Sequence, residues 1–193
     1  MRRRLVLLLT LAVCGMATAA AAGDADNDRI IFGSDIGTGK AYACFRRVYD
    51  TAHLKQHPKQ NVTAMTLLVA STVDPEQGRQ YSTAIGVKFR HASTEFQTGS
   101  GCQTGGDNES ALNCPIDCDG GTIDVRLRDA GSIYVSIPYG ALTWDPAKPD
   151  DEPSEQSRFG SDDKLFRLDR VAVSDCLPLA DDDAEKADMR AAP

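Results

Sequence analysis

The chain has 193 residues, with 21 Lys and Arg against 28 Asp and Glu, which gives a formal net charge of −7 at pH 7. This length suits one domain that buries its own hydrophobic core. The charge argues against nucleic acid as a partner, because affinity for nucleic acid comes mostly from Lys and Arg side chains that neutralise phosphates.

The first 22 residues have the three parts of a secretory signal peptide. Residues 2–4 are basic, residues 5–13 are apolar, and residues 17–22 are small, with cleavage expected after Ala22. The apolar run is about half of the roughly 20 residues that cross a bilayer, so we expect no membrane span. Cleavage would lower the net charge to −10 and place the protein in the periplasm or outside the cell.

The rest of the chain divides by composition into three parts. We expect a flexible N-terminal segment over 23–39, a β domain over 40–177 and a polar C-terminal tail over 178–193. Within the β domain, the segment "YSTAIGVKFR" alternates apolar and polar residues, as a half-buried antiparallel strand does.

One short helix is predicted in "TAHLKQHP", which Pro58 must end. On that helix Asp50, His53 and His57 would share one face, a ligand set suited to zinc or copper. His57 precedes proline, however, and is pushed away from helical geometry. Exposed histidines on a polar helix are therefore the competing interpretation.

A first hairpin is predicted around Ala92–Ser93. A tight connection there would set Phe89 opposite Phe96 and Arg90 opposite Glu95. Neither turn residue favours the backbone conformation that a two-residue turn requires.

Two further hairpins follow in "CPIDCDGGTIDVRLRDAGSIYVSI". A type I′ turn at Asp119–Gly120 would set Cys114 opposite Val125, and the loop 129–131 would set Val125 opposite Val135. Each apolar residue then has an apolar partner, so one apolar face continues across three strands.

The outward face of these strands carries the basic residues of an acidic protein. Arg126 and Arg128, with Lys88 and Arg90 elsewhere on that face, are candidates for binding an anion. The alternative is a solvated sheet face with cross-strand ion pairs.

An acidic, proline-containing segment over 145–163 is predicted to be an exposed loop, followed by a last strand in "KLFRLDRVAV". The count of strands is about eight. The fold class is therefore all-β, a mainly antiparallel small barrel or sandwich with one short helix.

Five cysteines remain after cleavage, and in an exported protein they indicate disulfides. Cys102 and Cys114 share the inward parity of neighbouring strands. Cys44 lies in the first strand and Cys176 just after the last, where closure of a barrel would bring them together. We therefore predict bonds Cys102–Cys114 and Cys44–Cys176. Cys118 is left as the free thiol.

The sequence contains no recognisable catalytic set. Gly99–Ser100–Gly101 is not the G-x-S-x-G elbow, and no nucleophile is coupled to a histidine. The sequence thus favours a non-enzymatic protein without a cofactor, although enzymatic activity stays open.

The segments "YACFRRVYDTAHLKQHPKQNVTAMTLLV", "CPIDCDGG" and "FRLDRVAVSDC" resemble those of small exported alphaproteobacterial proteins of unknown function. The resemblance implies export in a Gram-negative cell and no activity. We therefore expect an exported binding or interaction module whose partner is a small ligand or an envelope protein. A periplasmic metal-binding protein is the alternative, and a hydrolase is third.

Overall fold

The computed structural model of the protein describes residues 21–105, 111–148 and 157–192, with side chains from residue 27 onward. The strands are β1 Ala41–Val48, β2 Val62–Asp74, β3 Gly78–Phe89, β4 Glu95–Thr104, β5 Leu112–Pro115, β6 Thr122–Asp129, β7 Ser132–Ser136 and β8 Leu165–Val171. The helices are α1 Ala21–Phe32, α2 Thr51–Gln56 and α3 Asp183–Ala191, with a 3₁₀ segment Val173–Leu179. The predicted signal peptide lies outside the described residues except for its last two.

The eight strands form a closed antiparallel barrel. Each strand pairs with the next along the chain, and β8 pairs with β1 to close the sheet. The predicted all-β antiparallel class is confirmed, and the fold is the barrel rather than the sandwich. The structure contains two helices besides the short one predicted: α1 precedes the first strand in sequence and α3 follows the last.

Side chains fill the inside of the barrel. Strand alternation directs one apolar row of each strand inward, where the residues lose essentially all contact with water. The largest of these fully buried side chains are Phe45, Met65, Leu67, Ile85, Leu112, Ile123, Ile133, Phe166 and Leu168. An eight-stranded barrel is just wide enough for such side chains to fill it.

The C-terminal segment covers the outside of β1 and β2. Leu68 and Ala70 point outward from β2 and are nevertheless buried, because Leu179 and Met189 pack over them. The disulfide Cys44–Cys176 ties this C-terminal cap, residues 173–192, to β1. The cap explains why β2 is apolar on both faces although it belongs to an antiparallel sheet.

Both ends of the barrel are covered. At one end Ile31 of α1 joins the core, and the buried Asp28 accepts a hydrogen bond of 2.7 Å from the Tyr81 hydroxyl. The helix α1 therefore occupies residues 23–32 of the segment 23–39, for which a flexible chain is predicted. At the other end Phe159 packs edge-on against Phe89, with ring centroids 5.4 Å apart.

Two predicted registers are wrong by two residues. In the structure Cys114 lies opposite Ile123 rather than Val125, and the turn is at Cys118–Asp119, where both residues have positive φ. Likewise Phe96 lies opposite Val87 rather than Phe89. A shift of two keeps the inward and outward faces, so apolar alternation fits both registers.

The third hairpin register is confirmed. Val125 lies opposite Val135 and Leu127 opposite Ile133, with a bulge between Leu127 and Asp129. Of the segment 145–163, predicted to be an exposed loop, residues 149–156 lie outside the described ranges. In its described part, Ser157 and Asp163 are buried rather than exposed.

Candidate functional site

Three hollows among the described residues lie outside the barrel wall. One, of about 330 Å³, separates the outer face of β2–β4 from the C-terminal cap. A second, of about 420 Å³, lies between the chain before β1 and α3. A third, of about 610 Å³, lies beside the β5–β6 turn and is lined by Cys118 and Tyr139. A ligand would thus meet the outer surface first.

The outer face of β6–β8 carries a cross-strand row of one tyrosine between two arginines. The register sets Arg126 opposite Tyr134, and Tyr134 opposite Arg167. All three point outward because their strand neighbours, such as Val125 and Val135, are buried in the core. Arg128 lies nearby with its guanidinium 5.9 Å from the Tyr134 ring centroid. We call Arg126, Arg128, Tyr134 and Arg167 the arginine face.

The arginines of this face differ in how they are paired. Arg128 donates to the Ser132 hydroxyl at 3.1 Å and lies 3.6 Å from Asp129. Hydrogen bonds from Ser132 and the Gly131 amide lower the pKa of Asp129, which stays ionised beside Arg128. The Nε atom of Arg126 is buried and has no hydrogen-bond partner within the described part of the chain.

Arg167 shares a carboxylate with an arginine of β1. Its Nη2 lies 2.8 Å from Asp169 Oδ1, while Arg47 Nη1 lies 2.9 Å from Asp169 Oδ2. All three side chains are more than a third exposed, so solvent screens both ion pairs. Arg47 and Arg167 can therefore each exchange Asp169 for another acceptor at a small cost in free energy.

The other two basic residues predicted on the outward face lie apart from this face. Lys88 is exposed on β3 and lies opposite Glu95. Arg90 is not opposite Glu95; its guanidinium donates to the backbone carbonyls of Gln60, Leu54 and His57. Arg90 therefore holds α2 against the barrel.

The structure does not assemble Asp50, His53 and His57 as a metal site. Asp50 caps α2 by accepting a hydrogen bond of 2.7 Å from the His53 amide. His53 Nε2 lies 3.0 Å from Gln60 Oε1, and the two imidazole rings stack with centroids 4.4 Å apart. Across the described ranges, no group of three or more His, Cys, Asp or Glu could hold a metal ion.

The cysteines brought to disulfide distance are the two pairs proposed from the sequence. Cys44 and Cys176 have Cα atoms 5.8 Å apart, and Cys102 and Cys114 have theirs 4.1 Å apart. Cys118 is unpaired and exposed at the β5–β6 turn.

Sequence reasoning missed Tyr134 and Arg167 as members of the arginine face. The signal for Tyr134 was present, since the predicted register of β6 and β7 already placed it opposite Arg126. Arg167 alternates with the buried Phe166 and Leu168, which marks it as outward. Its place beside Tyr134 depends on the pairing of β7 with β8 across a connection of 28 residues, 137–164, and no local pattern sets that register.

Comparison with protein-family models, with curated proteins and with solved structures finds no match for this chain. Within the described ranges, no helix is long and apolar enough to cross a membrane.

Proposed function

We propose that the protein is an exported, non-enzymatic interaction module that recognises an envelope protein through its outer surface. The filled barrel interior carries this proposal. Residues such as Phe45, Leu67 and Phe166, which occupy the space where an open barrel holds a ligand, are at most 2% exposed. The hollows between the wall and its covering segments are on the outside.

Export is supported by the composition of residues 1–22 and by the two disulfides, which persist in oxidising compartments. Cleavage after Ala22 would leave Asp28 and Ile31, through which α1 contacts the barrel. The resemblance to exported alphaproteobacterial proteins agrees with a periplasmic or secreted location.

Fractionation with cross-linking tests this proposal. The full-length chain, tagged at its C-terminus, is expressed in a Gram-negative cell, and an amine-reactive cross-linker is added before the periplasm is released. We expect a mature chain that begins at Gly23 and one discrete cross-linked band that contains a second protein. Retention of the chain in the cytoplasm would contradict export. Steady turnover of ester, peptide or glycoside substrates by the purified protein would contradict a non-enzymatic role.

A further inference from the structure

We propose that the arginine face binds an acidic segment of a protein partner, with carboxylates held by Arg126 and Arg167 on either side of Tyr134. This inference rests on the proposed function and assigns its recognition surface.

Among the described residues, Arg126 has no hydrogen-bond acceptor for its guanidinium. In the described part of the chain, Arg47 and Arg167 share Asp169, whereas Arg170 donates to the carbonyls of Ala130 and Ile30. Arg126 forms no such bond, and its Nε is already removed from water. Its remaining guanidinium donors match the two oxygens of a carboxylate.

The composition of the arginine face is typical of a protein-binding surface. Tyr134 lies between two arginines in one cross-strand row, and a third guanidinium lies near its ring. Tyrosine and arginine are the side chains most enriched, with tryptophan, among residues that dominate protein–protein binding energy. A row of this composition fits a protein segment.

The spacing of Arg126 and Arg167 suits one short peptide. Neighbouring strands lie about 4.8 Å apart, so Arg126 and Arg167, two strands apart, are separated by about 10 Å. An extended peptide covers that distance in about three residues. One short acidic segment therefore reaches both guanidinium groups while it crosses the face of Tyr134.

The arginine face is a basic surface on an acidic molecule, which favours a short acidic ligand over a long one. The protein as a whole carries a net charge of −7, so an extended polyanion or an anionic membrane would be repelled by most of its surface. A short acidic segment meets only the arginine face. The partner chemistry is thus a run of Asp or Glu on a protein.

Fluorescence anisotropy with a fluorescein-labelled octaglutamate peptide tests this inference on the mature protein. The double variant Arg126→Gln/Arg167→Gln is compared with Lys88→Gln, an exposed residue on the outward face of β3. We expect the double variant to weaken binding about tenfold or more and Lys88→Gln to change it less than about twofold. Binding should also weaken as sodium chloride rises.

A second variant controls for folding. Arg126→Lys keeps the charge and the apolar stem but loses the planar guanidinium group. We therefore expect its affinity for the peptide to lie between the affinities of wild type and of the single variant Arg126→Gln. Equal affinities for Arg126→Gln, Arg126→Lys and wild type would overturn the proposal, as would no peptide binding at about 1 mM protein. Equally tight, Arg126-dependent binding to phosphatidylglycerol vesicles would overturn the assignment to a protein segment.

The two proposals fail separately. If the cross-linked partner is retained by the Arg126→Gln/Arg167→Gln variant, the arginine face is not the recognition surface and the interaction module stands. If no partner is cross-linked to wild type, the proposed function fails first.

Discussion

Asp163 is a fully buried carboxylate that ties the segment before β8 to the start of β2. Its oxygens accept hydrogen bonds from the amides of Asn61, Val62 and Gly160, the shortest of 2.7 Å. Asn61 and Gly160 lie outside the strands and Val62 is the first residue of β2, so a side chain supplies the acceptor for their amides. Asp163 therefore closes the barrel end opposite α1.

Replacing Asp163 by alanine should destabilise the protein strongly. Three amide groups would lose their acceptor, and each buried unsatisfied donor costs about 1 to 3 kcal/mol. We expect the free energy of unfolding to fall by about 3 kcal/mol or more in urea titrations. Asp162→Ala is the matched control, because Asp162 is an exposed neighbour, and its effect should stay within about 0.5 kcal/mol. Equal effects of the two substitutions would contradict the role assigned to Asp163.

The same residue should impose a pH dependence on stability. Burial raises the pKa of Asp163 above its ordinary value of 3.8, outweighing the hydrogen bonds from Gly160, Asn61 and Val62 that lower it. A raised folded pKa gives stability that is fully present below the unfolded pKa and is lost as pH rises through the folded pKa. The stability of wild type relative to Asp163→Asn should thus fall as pH rises from about 4 and then level off. A relative stability that rises with pH would contradict the direction of the shift.

At the scale of elements, the β5–β6 hairpin shows how backbone contacts select a register. Gly121 has a φ of +95°, and a Cβ atom placed there would lie 2.4 Å from the Gly140 carbonyl oxygen. The turn itself is at Cys118–Asp119, with φ of 57° and 59°. The absence of a side chain at Gly121 therefore allows the segment 140–144 to approach closely. The same segment pairs with β4 through backbone hydrogen bonds between Trp144 and Gln97.

Gly121→Ala should accordingly damage the fold. The left-handed conformation and the overlap with the Gly140 carbonyl together should lower the free energy of unfolding by about 2 to 4 kcal/mol. Gly131→Ala is the control, since its Cβ would meet only Asp129 Oδ1 at 3.5 Å. Thermal denaturation followed by circular dichroism measures both. A Gly131→Ala protein that melts as low as Gly121→Ala would refute this account of the register.

The alternation of apolar residues was enough to predict strands, their faces and the all-β antiparallel class, because burial of one face follows directly from it; it left the barrel and the sandwich equally open. It was not enough to choose between registers that differ by two residues, since Ile123 and Val125 satisfy the core equally well opposite Cys114. The chosen register depends on contacts with residues far along the chain, such as Gly140. For the same reason Arg126 was predicted as a candidate and its neighbour Arg167 was not.

In the molecule as a whole, the C-terminal cap links the first strand of the barrel to the chain that follows the last strand. Cys44 and Cys176 are 132 residues apart in sequence, and both are fully buried between β1 and the cap. The bond therefore restricts almost the whole domain in the unfolded state and holds Leu179 and Met189 over β2 in the folded state.

Loss of this disulfide should be the most damaging of the cysteine changes. The chain-entropy relation gives about 5 kcal/mol for Cys44–Cys176 and about 3 kcal/mol for Cys102–Cys114, which closes a much shorter loop. We expect Cys44→Ala/Cys176→Ala to lower the free energy of unfolding more than Cys102→Ala/Cys114→Ala does. Cys118→Ser should leave it nearly unchanged, because that thiol is exposed and unpaired. Urea unfolding without reductant ranks the three, and a different order would contradict the topology.

The central claim is that the barrel is filled and that recognition takes place on its outside. Native mass spectrometry is the direct test, on protein purified from the periplasmic fraction, the location that we propose for it. We predict a monomer of the mature chain with two disulfides, one free thiol and no bound small molecule, together with a complex that contains a second protein. A small molecule or metal ion held stoichiometrically by the monomer and released only on unfolding would contradict the claim.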